Sequence, residues 1–353
     1  MPSKNVITIA AAGSGKSTGI VNEAIANQDK RILITTFTVE GTEELKKIFI
    51  EQYQAIPKNV EIMTWMSFLI QECIRPYQLS AFDRLVSRPI FVQGRSTKYF
   101  KKTDPRYFFG ADDCIFSDKL ADFAMLCNAK TDGKVIKRLE SIYDLIFIDE
   151  FQDFAGYDYD LVIELLQTDI TLRIVADPRQ GTFSTNESAR NAKYKKAGVL
   201  KLIEKLELDG LCRIELNNWS YRCNQELCSF SDSIYHDYEK TISRNFERTG
   251  HDGIFYISRS QLEEYLQNFQ VVILRYDKKT KWLDEKVRNF GAVKGRTYER
   301  VLILPNTPII NFLKGQPFSS PAKYYVAFTR AKYSATILCD EELSHPMITK
   351  WKT

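Results

Sequence analysis

Residues 6–18 read VITIAAAGSGKST, an apolar run followed directly by a loop with two glycines, a lysine and two hydroxyl residues. The apolar run 6–9 has the β-branched composition of a buried strand, and the residues from the lysine to about position 26 are compatible with a helix. A strand, a glycine-rich loop and a helix in this order form the setting in which backbone N–H groups and a helix N-terminus bind phosphate. The segment therefore predicts an α/β fold whose first loop binds the phosphates of a nucleotide.

The loop itself forms a candidate nucleotide site. Gly13 and Gly15 allow the backbone to close around the β-phosphate, Lys16 can reach the β- and γ-phosphates, and the Ser17 hydroxyl can ligate Mg²⁺. The predicted nucleotide-binding residues of the loop are Ala12, Gly13, Ser14, Gly15, Lys16, Ser17 and Thr18. Ala10 replaces the first glycine of the strict phosphate-loop pattern, so the alternative here is a glycine turn that binds no ligand.

A second apolar run ends in two adjacent carboxylates. Residues 145–153 read LIFIDEFQD, so Asp149 and Glu150 directly follow a predicted buried strand. In ATP-hydrolysing sites one such acid holds the metal and the other polarises the attacking water. We assign Asp149 to Mg²⁺, together with Ser17, and Glu150 to the water. The alternative is that the two carboxylates are a solvated loop end. Since the sequence also contains the phosphate loop, the pair indicates an ATP hydrolase that uses ATP and Mg²⁺.

Short apolar runs recur along the chain between amphipathic stretches and predict buried parallel strands joined by helices. Beyond the first, they lie at 32–35, 60–63, 145–148, 172–175, 213–216, 271–274, 301–304 and 335–338. A polar, lysine-rich stretch interrupts the series. We therefore expect a first lobe over 1–185 with a reduced accessory insertion at about 69–143, an interlobe segment over 186–210, and a second lobe over 211–353.

Composition limits the class of protein. The chain has 353 residues, 44% of them hydrophobic, and a formal net charge of +4, so it can form normal cores but has no bulk attraction to nucleic acid. No apolar run reaches the roughly 18–20 residues that a membrane span needs. We expect a cytoplasmic protein with no membrane segment and with reduced thiols. A metal cluster that uses Cys212, Cys223 and Cys228 is the alternative for the cysteines.

Several further motifs follow in a fixed order and, with the two above, resemble those of the UvrD/Rep/PcrA-like superfamily 1 helicases. The matching segments are Thr-Phe-Thr at 36–38, Thr-Trp-Met-Ser-Phe at 64–68, Asp-Glu-Phe-Gln-Asp at 149–153, Ala-Asp-Pro-Arg-Gln at 176–180, Ser-Tyr-Arg-Cys at 220–223, Val-Lys-Gly at 293–295 and Tyr-Val-Ala-Phe-Thr-Arg-Ala-Lys at 325–332. The resemblance covers nearly the whole chain.

The resemblance implies two RecA-like P-loop NTPase lobes with parallel sheets and an ATP site in the cleft between them. It makes Gln180 a sensor of the γ-phosphate and Tyr221 a platform for adenine, and it brings Arg222 and Arg330 to the γ-phosphate. The implied catalytic residues are Lys16, Glu150, Gln180, Arg222 and Arg330, and Gly295 is an implied nucleotide contact. Arginine suits this task because its planar, permanently charged fork grips phosphate oxygens.

The same family binds single-stranded nucleic acid through its Thr-Phe-Thr, Thr-Phe-His-Ser-Phe and aromatic loop motifs. The corresponding residues here are Thr36, Phe37, Thr64, Trp65 and Phe183. The expected strand is single-stranded DNA, with RNA open as an alternative. Position 66 is Met where the family has His, and residues 39–42 depart from the family pattern, which weakens the expected grip on the strand.

A basic segment rich in aromatic residues lies in the predicted insertion. Its cations are Arg84, Arg88, Arg95, Lys98, Lys101, Lys102 and Arg106, and its aromatic residues are Phe91, Tyr99, Phe100, Tyr107, Phe108 and Phe109. Cations that pair with phosphates beside rings that stack on bases are typical of single-strand binding. A solvated basic face over a small aromatic core is the alternative. A second basic run at 190–205 is expected to be a solvated helix face.

Two functions compete on this sequence. The first is an ATP-dependent translocase or helicase that couples hydrolysis to movement along a single strand. The second is a nucleotide-operated binding module that regulates a protein partner, for example a nuclease in an anti-phage or mobile-element system, and unwinds little by itself. The ordered motifs favour the first, whereas the altered strand motifs and the small insertion favour the second.

Overall fold

The computed structural model describes residues 3–92, 94–97, 99–235, 237–282, 286–318, 320–343 and 345–352. Lys98 of the basic segment therefore lies outside the described residues. The chain divides into two compact units, Met1–Ile9 with Lys16–Leu216, and Ala10–Gly15 with Asn217–Thr353. Each unit is built on its own parallel sheet.

The first part of the chain alternates strands and helices up to residue 217. Its strands and α-helices are β1 (Val6–Ala10), α1 (Lys16–Ala26), β2 (Ile32–Thr36), α2 (Val39–Tyr53), β3 (Val60–Thr64), α3 (Trp65–Phe68), β4 (Pro89–Ile90), β5 (Ile115–Phe116), α4 (Leu120–Lys130), α5 (Lys134–Ile142), β6 (Leu145–Ile148), α6 (Tyr157–Leu166), β7 (Thr171–Ala176), α7 (Val199–Leu208) and β8 (Arg213–Asn217). Among the described residues, the large sheet has the strand order β3-β2-β6-β7-β1-β8.

The central strands of this sheet are buried because they are apolar along their whole length. Strand β2 pairs in parallel with β3 and β6, and β6 and β1 both pair in parallel with β7. All residues of β2 and β6 are buried, as expected for parallel strands covered by helices on both faces. The carboxyl ends of β1, β2, β6 and β7 therefore meet at one edge of the sheet, where the predicted motif residues follow them.

The predicted insertion is packed into this first core. A π-helical segment, Leu69–Ile74, continues from α3, and its buried face contacts α4. The rings of Phe82, Phe108, Phe109 and Phe123 form a cluster with centroid separations of 5.1–6.4 Å. Phe108 and Phe109 are therefore core residues, whereas Phe91 and Tyr99 of the same basic segment are exposed.

The second part of the chain forms another parallel sheet. Its strands and α-helices are β9 (Trp219–Ser220), α8 (Gln225–Asp232), β10 (Ile242–Ser243), β11 (Gly253–Ile257), α9 (Leu262–Asn268), β12 (Val272–Arg275), β13 (Arg288–Asn289), β14 (Tyr298–Ile303), α10 (Thr307–Leu313), α11 (Ala322–Phe328), β15 (Ala331–Leu338) and β16 (Thr349–Lys350). Within the described ranges the sheet order is β13-β12-β14-β15-β11-β16. Strands β14 and β15 carry its core residues Val301, Ile303, Ala335 and Ile337.

The predicted fold class, two α/β lobes with parallel sheets, is confirmed. The position of one predicted boundary differs. Strand β8, which we placed at the start of the second lobe, lies at the edge of the first sheet beside β1, where the Arg213 N–H donates to the Asn5 carbonyl at 3.0 Å. Helix α7 of the predicted interlobe segment also belongs to the first core, because its buried residues recur at helical spacing: Val199, Leu202, Ile203 and Leu206.

Of the second basic run, Lys201 and Lys205 lie on the exposed face of α7, whereas its other cations precede the helix: Arg190, Lys193, Lys195 and Lys196. In the described part of the chain, no helix has the length and apolar character to cross a membrane. The cysteines are all buried and free. The described residues contain no group of three or more candidate metal ligands, so the structure does not support the alternative cluster of Cys212, Cys223 and Cys228.

Candidate nucleotide and strand sites

The predicted phosphate loop has the backbone of an anion cradle. Gly13 and Gly15 have φ angles of +73° and +79°, which residues with a β-carbon rarely adopt. The Ser14 N–H donates to the Ala11 carbonyl at 3.3 Å and closes the turn. Ser14 is buried, and its hydroxyl has no hydrogen-bond partner among the described residues. A buried hydroxyl of this kind is a ready donor to a phosphate oxygen.

Helix α1 begins at Lys16, directly after this loop, and its first turn carries Ser17 and Thr18. No acidic residue lies in this turn, so the positive end of the helix dipole is not neutralised by the helix itself. The side chains of Lys16, Ser17 and Thr18 are half-buried. The donor set of amide, ammonium and hydroxyl groups fits a triphosphate, and the hard oxygen of Ser17 fits Mg²⁺.

The segment 220–222 holds the loop from one side. The Ser220 hydroxyl donates to the Ala12 carbonyl, and the Tyr221 N–H donates to the Gly13 carbonyl, both at 2.8 Å. A β-carbon at Gly13 would lie 2.5 Å from the β-carbon of Arg222, which is closer than atoms can approach. The ring of Tyr221 is 60% exposed and lies beside Gly15. Tyr221 is therefore placed next to the loop with much of its ring accessible for stacking.

Asp149 and Glu150 lie where β6 ends, as predicted. Asp149 is 7% exposed, and its Oδ1 accepts a hydrogen bond from the Glu150 N–H at 2.9 Å. Glu150 has a φ of +58°, a left-handed conformation that is uncommon for a residue with a side chain. Such local strain is often found at functional positions. Here the residue in this conformation lies directly after β6 and Asp149, at the edge where the motifs meet.

A chain of hydrogen bonds connects Glu150 to the predicted γ-phosphate sensor Gln180. The Gln152 amide donates to the Glu150 carboxylate, and its oxygen accepts from the Asp177 N–H at 2.9 Å. The Asp177 carboxylate accepts from Gln180 Nε2 at 2.8 Å and from Arg179 Nε at 3.0 Å. Because Gln152 and Asp177 are fully buried, these bonds fix the side chains in place.

Gln152 and Asp177 were not among the predicted site residues, although both lie in quoted motifs. A signal for them was present: each is a polar residue just after a buried strand, β6 or β7, and these strands are neighbours. Their role is positional, since they join the Glu150 and Gln180 side chains.

Arg222 and Arg330 come together within the second unit. Arg222 donates to the carbonyl of Thr329, the residue before Arg330, at 3.1 Å. A hydrogen bond with Cys228 lowers the pKa of the Cys223 thiol, and the positive charges of Arg222 and Arg330 lower it further. Arg330 is 1% exposed and donates to the carbonyls of Val326 and Arg296 at 3.1 and 3.3 Å. In this structure Arg330 is thus a buried residue, and Arg222 is the more accessible of the two.

Gly295 lies in an exposed turn after a short 3-10 helix, Phe290–Val293. Its φ is +82°, which explains a glycine at this position of the Val-Lys-Gly motif. The described contacts do not connect Gly295 to the phosphate loop, so its role in nucleotide binding stays a prediction.

Two of the predicted strand-binding aromatic residues form a pair. The rings of Phe37 and Phe183 stack with their centroids 5.9 Å apart, and Phe183 is 37% exposed. The Phe183 N–H lies 3.4 Å from the carboxylate of Asp153, which belongs to the Asp-Glu-Phe-Gln-Asp motif. The aromatic pair is therefore tied to the acidic motif by the backbone. Thr36 is buried beside Gly41 and has no exposed surface for a strand to bind.

Trp65 corrects a prediction. We expected this residue to contact a strand, but it is 2% exposed and packs on Phe68 and Phe154 at centroid distances of 5.0 and 4.6 Å. Its indole N–H donates to the buried carboxylate of Asp158 at 2.7 Å. Thr64 caps helix α3 by accepting from the Ser67 N–H at 3.1 Å. Both residues thus have structural roles, and a buried indole cannot stack on a base.

We expect Trp65→Phe to destabilise the protein by about 1–3 kcal/mol, because it removes a hydrogen bond to a buried carboxyl group. Burial raises the pKa of Asp158 from 3.8 to about 6. Because the pKa of this carboxyl group is higher in the folded state than in the unfolded state, the group stabilises the fold at low pH. This stabilisation is lost as the pH rises through 6. Loss of the Trp65 donor disfavours the ionised form further. The destabilisation should therefore be larger at pH 8 than at pH 5.

Urea unfolding followed by far-ultraviolet circular dichroism at both pH values measures this effect. Tyr53→Phe, on the surface of α2, serves as a control with little expected change. A loss of strand binding in a Trp65→Phe protein of unchanged stability would show that the indole contacts the strand after all.

Three of the six described cations of the basic segment are paired with acids. Arg84 pairs with Asp113, Lys102 with Asp122 and Arg106 with Asp104, at 2.9, 2.6 and 2.7 Å. Arg88, Arg95 and Lys101 have no acidic partner within 4.0 Å among the described residues, and Arg95 donates from Nε to the Glu187 carbonyl at 2.7 Å. The segment therefore contains both predicted features, a small aromatic core and a few cations available to a ligand.

A family profile for the viral superfamily 1 RNA helicase core domain matches residues 126–339. Among solved structures, the chain is similar to the helicase nonstructural protein 10 of an arterivirus, with 14% identity, a TM-score of 0.49, and coverage of 96% of this chain and 60% of that one. It is also similar to the helicase of PRRSV, with 12% identity, a TM-score of 0.48, and coverage of 95% and 52%.

A further similar structure is the arterivirus protein in complex with DNA, with 13% identity, a TM-score of 0.47, and coverage of 95% and 60%. The chain thus spans between half and two thirds of the length of these helicases. No curated protein sequence matches it significantly. Because the profile match spans more than half of its residues, the chain belongs to the viral superfamily 1 RNA helicase core family.

Proposed function

We propose that this protein is an ATP-driven translocase or helicase that moves along single-stranded nucleic acid. The observation that carries the proposal is the buried chain of hydrogen bonds from Glu150 through Gln152 and Asp177 to Gln180. It joins a candidate water-activating carboxylate to a candidate γ-phosphate sensor at the sheet edge that also ends in the phosphate loop. If hydrolysis is to respond to the presence of the γ-phosphate, the side chains around that phosphate must be held in fixed positions. The buried hydrogen bonds provide this rigidity.

The residues of the site have separate tasks in this proposal. The loop amides, the Ser14 hydroxyl and Lys16 bind the β- and γ-phosphates. Ser17 and Asp149 would hold Mg²⁺, which neutralises phosphate charge when bound. Glu150 orients and deprotonates the attacking water, and Arg222 and Arg330 supply positive charge to the γ-phosphate. Tyr221 offers its exposed ring to the base of the nucleotide, which it holds by stacking without any base-specific hydrogen bond.

The Phe37 and Phe183 pair is the proposed contact with the strand. Stacking of bases on aromatic rings tolerates any sequence, since every base has a flat face. The bond between Phe183 and Asp153 would transmit changes at the acidic motif to this contact. The UvrD/Rep/PcrA-like motifs favour single-stranded DNA, whereas the description of the matching family names RNA, so both strands belong in the test.

A second function, a nucleotide-operated module that regulates a protein partner, is favoured by the burial of Trp65. Because Trp65 is buried, one expected strand contact is absent. In addition, acids neutralise several cations of the insertion. Such a module would change its affinity for the partner with the bound nucleotide and would not move along a strand.

Displacement of streptavidin from biotin-labelled strands separates the two functions. We expect ATP to accelerate displacement from one end of a single strand and not from the other, because a motor moves with one polarity. A non-hydrolysable ATP analogue should give no acceleration. Equal, ATP-independent rates at both ends of DNA and RNA strands would contradict the translocase and favour the regulatory module.

A further inference from the structure

Asn245 is a buried polar residue that lies outside every motif of the nucleotide site. It follows β10 in a segment whose side chains alternate, so that Ser243 and Asn245 are buried whereas Arg244 and Phe246 are exposed. Asn245 is 8% exposed. A buried side-chain amide is costly unless its donors and its acceptor are bonded, so its partners show which parts of the chain it holds.

The Asn245 amide joins the two segments that carry the predicted catalytic arginines. Its Nδ2 donates to the Arg222 carbonyl at 2.8 Å and to the Lys332 carbonyl at 3.3 Å. Its Oδ1 accepts from the Glu247 N–H at 3.1 Å. A reversed amide would place its oxygen against two carbonyl oxygens, so these partners fix its orientation. Asn245 therefore connects the backbone of Arg222 to the segment of Arg330.

Asn224 also connects the two segments, but it has a second task. Its N–H donates to the Lys332 carbonyl at 3.2 Å, and its Nδ2 donates to the Tyr333 carbonyl at 2.7 Å. Its Oδ1 caps helix α8 by accepting from the Leu227 N–H at 3.0 Å. Loss of Asn224 would therefore destabilise a helix as well as the connection. The donors of Asn245 serve the connection alone, so this residue is the better subject of a test.

The position of Arg222 matters because its side chain begins next to the phosphate loop. A β-carbon added to Gly13 would lie 2.5 Å from Arg222 Cβ, so the two residues are in close contact. The carbonyl that Asn245 holds is bonded directly to the α-carbon of Arg222. Fixing this carbonyl restricts the direction in which the guanidinium leaves the backbone. A misplacement of about 1 Å in a catalytic group can lower a rate by about 10²-fold.

We propose that Asn245 is a positioning residue, which holds Arg222 against the segment of Arg330 so that the Arg222 guanidinium reaches the γ-phosphate. The inference rests on the proposed function, in which Arg222 supplies positive charge during hydrolysis. Asn245 itself does not contact the nucleotide in this account, so ATP still binds through the phosphate loop when the amide is removed. The amide should therefore affect the rate of hydrolysis far more than the affinity for ATP.

Steady-state ATP hydrolysis by the full chain tests this role. Asn245→Ala should lower kcat by about five- to twentyfold and change KM by less than about twofold. Arg222→Ala should lower kcat by at least about 10²-fold. The double variant should hydrolyse ATP at the rate of Arg222→Ala within about twofold, because no guanidinium is left to position. A residue that only supports the fold would lower the fraction of active protein, and the two losses would multiply.

Asn218→Ala is the matched control. Asn218 lies in the same unit, and its Nδ2 donates at 3.0 Å to the exposed carboxylate of Glu239, so this variant should keep the kcat of the parent. Asn245→Asp keeps the shape and the acceptor of the amide but lacks its donors, and it should show the same loss of kcat if Asn245→Ala does not fold. Losses that multiply, a parent kcat in Asn245→Ala, or failure of both Asn245 variants to fold would overturn the proposal.

The outcome is separable from that of the proposed function. Strand-stimulated hydrolysis in which the two losses multiply refutes the role of Asn245 and leaves the motor intact. If Arg222→Ala hydrolyses ATP at the parent rate, Arg222 is not catalytic, and the role of Asn245 is refuted with it. A parent protein that hydrolyses no ATP refutes the proposed function itself.

Discussion

Glu150→Gln should reduce the rate of ATP hydrolysis by about 10²–10⁴-fold while leaving ATP binding close to that of the parent. The amide has nearly the shape of the carboxylate and can still accept from Gln152, but it cannot take a proton from water. The surrounding side chains are held by Asp177, so the geometry of the site should persist. Steady-state hydrolysis and equilibrium binding of a fluorescent ATP analogue measure the two quantities.

Glu51→Gln, on the exposed face of α2, is the matched control with the same chemical change. We expect it to hydrolyse ATP at the rate of the parent, because exposed ion pairs such as the one it forms with Lys47 contribute little. A Glu150→Gln protein that retains more than about a tenth of the parent rate would remove Glu150 from the catalytic role. The Gln180 network would then be a structural feature of the sheet edge.

Gly13→Ala should weaken ATP binding by at least about tenfold and reduce hydrolysis by a similar or larger factor. An alanine at this φ of +73° is strained, and its β-carbon would lie 2.5 Å from Arg222 Cβ and 2.8 Å from Ser220 Oγ. The loop or the segment 220–222 must therefore move. Either movement disturbs the bonds that Ala12 and Gly13 accept from Ser220 and Tyr221, and it changes the shape of the phosphate cradle.

Gly19→Ala offers a matched control six residues along the chain. Gly19 lies in helix α1, its φ is not positive, and a β-carbon added there would meet no atom of a neighbouring group within 4 Å. Alanine should stabilise the helix by up to about 1 kcal/mol and leave ATP binding unchanged. Equal ATP affinities for Gly13→Ala and Gly19→Ala would show that the loop does not bind phosphate in the way we describe.

Much of the fold could be predicted from the sequence because the sheet strands are short, apolar and regularly spaced. Runs such as 32–35 and 145–148 are buried on both faces of a parallel sheet, and their short length and β-branched residues favour a strand over a helix. Strand β11 was not predicted although it lies between β15 and β16. Strand β8 was assigned to the wrong sheet, because its exposed, mixed pattern is typical of an edge strand and does not indicate which sheet it joins.

The conformation of the candidate site was predictable where it depends on the backbone of a motif, as at the glycine loop. It was less predictable where the role of a side chain depends on its environment. Trp65 aligns with a strand-binding motif, but only the packing around Asp158 reveals that its indole is a core group. Gln152 and Asp177 are 25 positions apart and follow neighbouring strands. The hydrogen bond between them cannot be inferred from sequence spacing alone.

The basic segment of the insertion illustrates the same limit. The sequence showed a basic segment, but three of its cations, Arg84, Lys102 and Arg106, are paired with acids. Only the structure distinguishes Arg95 from Arg84 or Lys102. Charge counts along a segment therefore overestimate the number of cations that can hold a phosphate.

The most direct test of the account is the rate of ATP hydrolysis with and without single-stranded RNA or DNA, in the parent and in Lys16→Ala. We predict that at least one strand stimulates the parent by about tenfold or more and that Lys16→Ala abolishes both basal and stimulated hydrolysis, since the phosphates lose their main cation. Hydrolysis that is indifferent to both strands, or that persists at the parent rate in Lys16→Ala, would contradict the proposed motor.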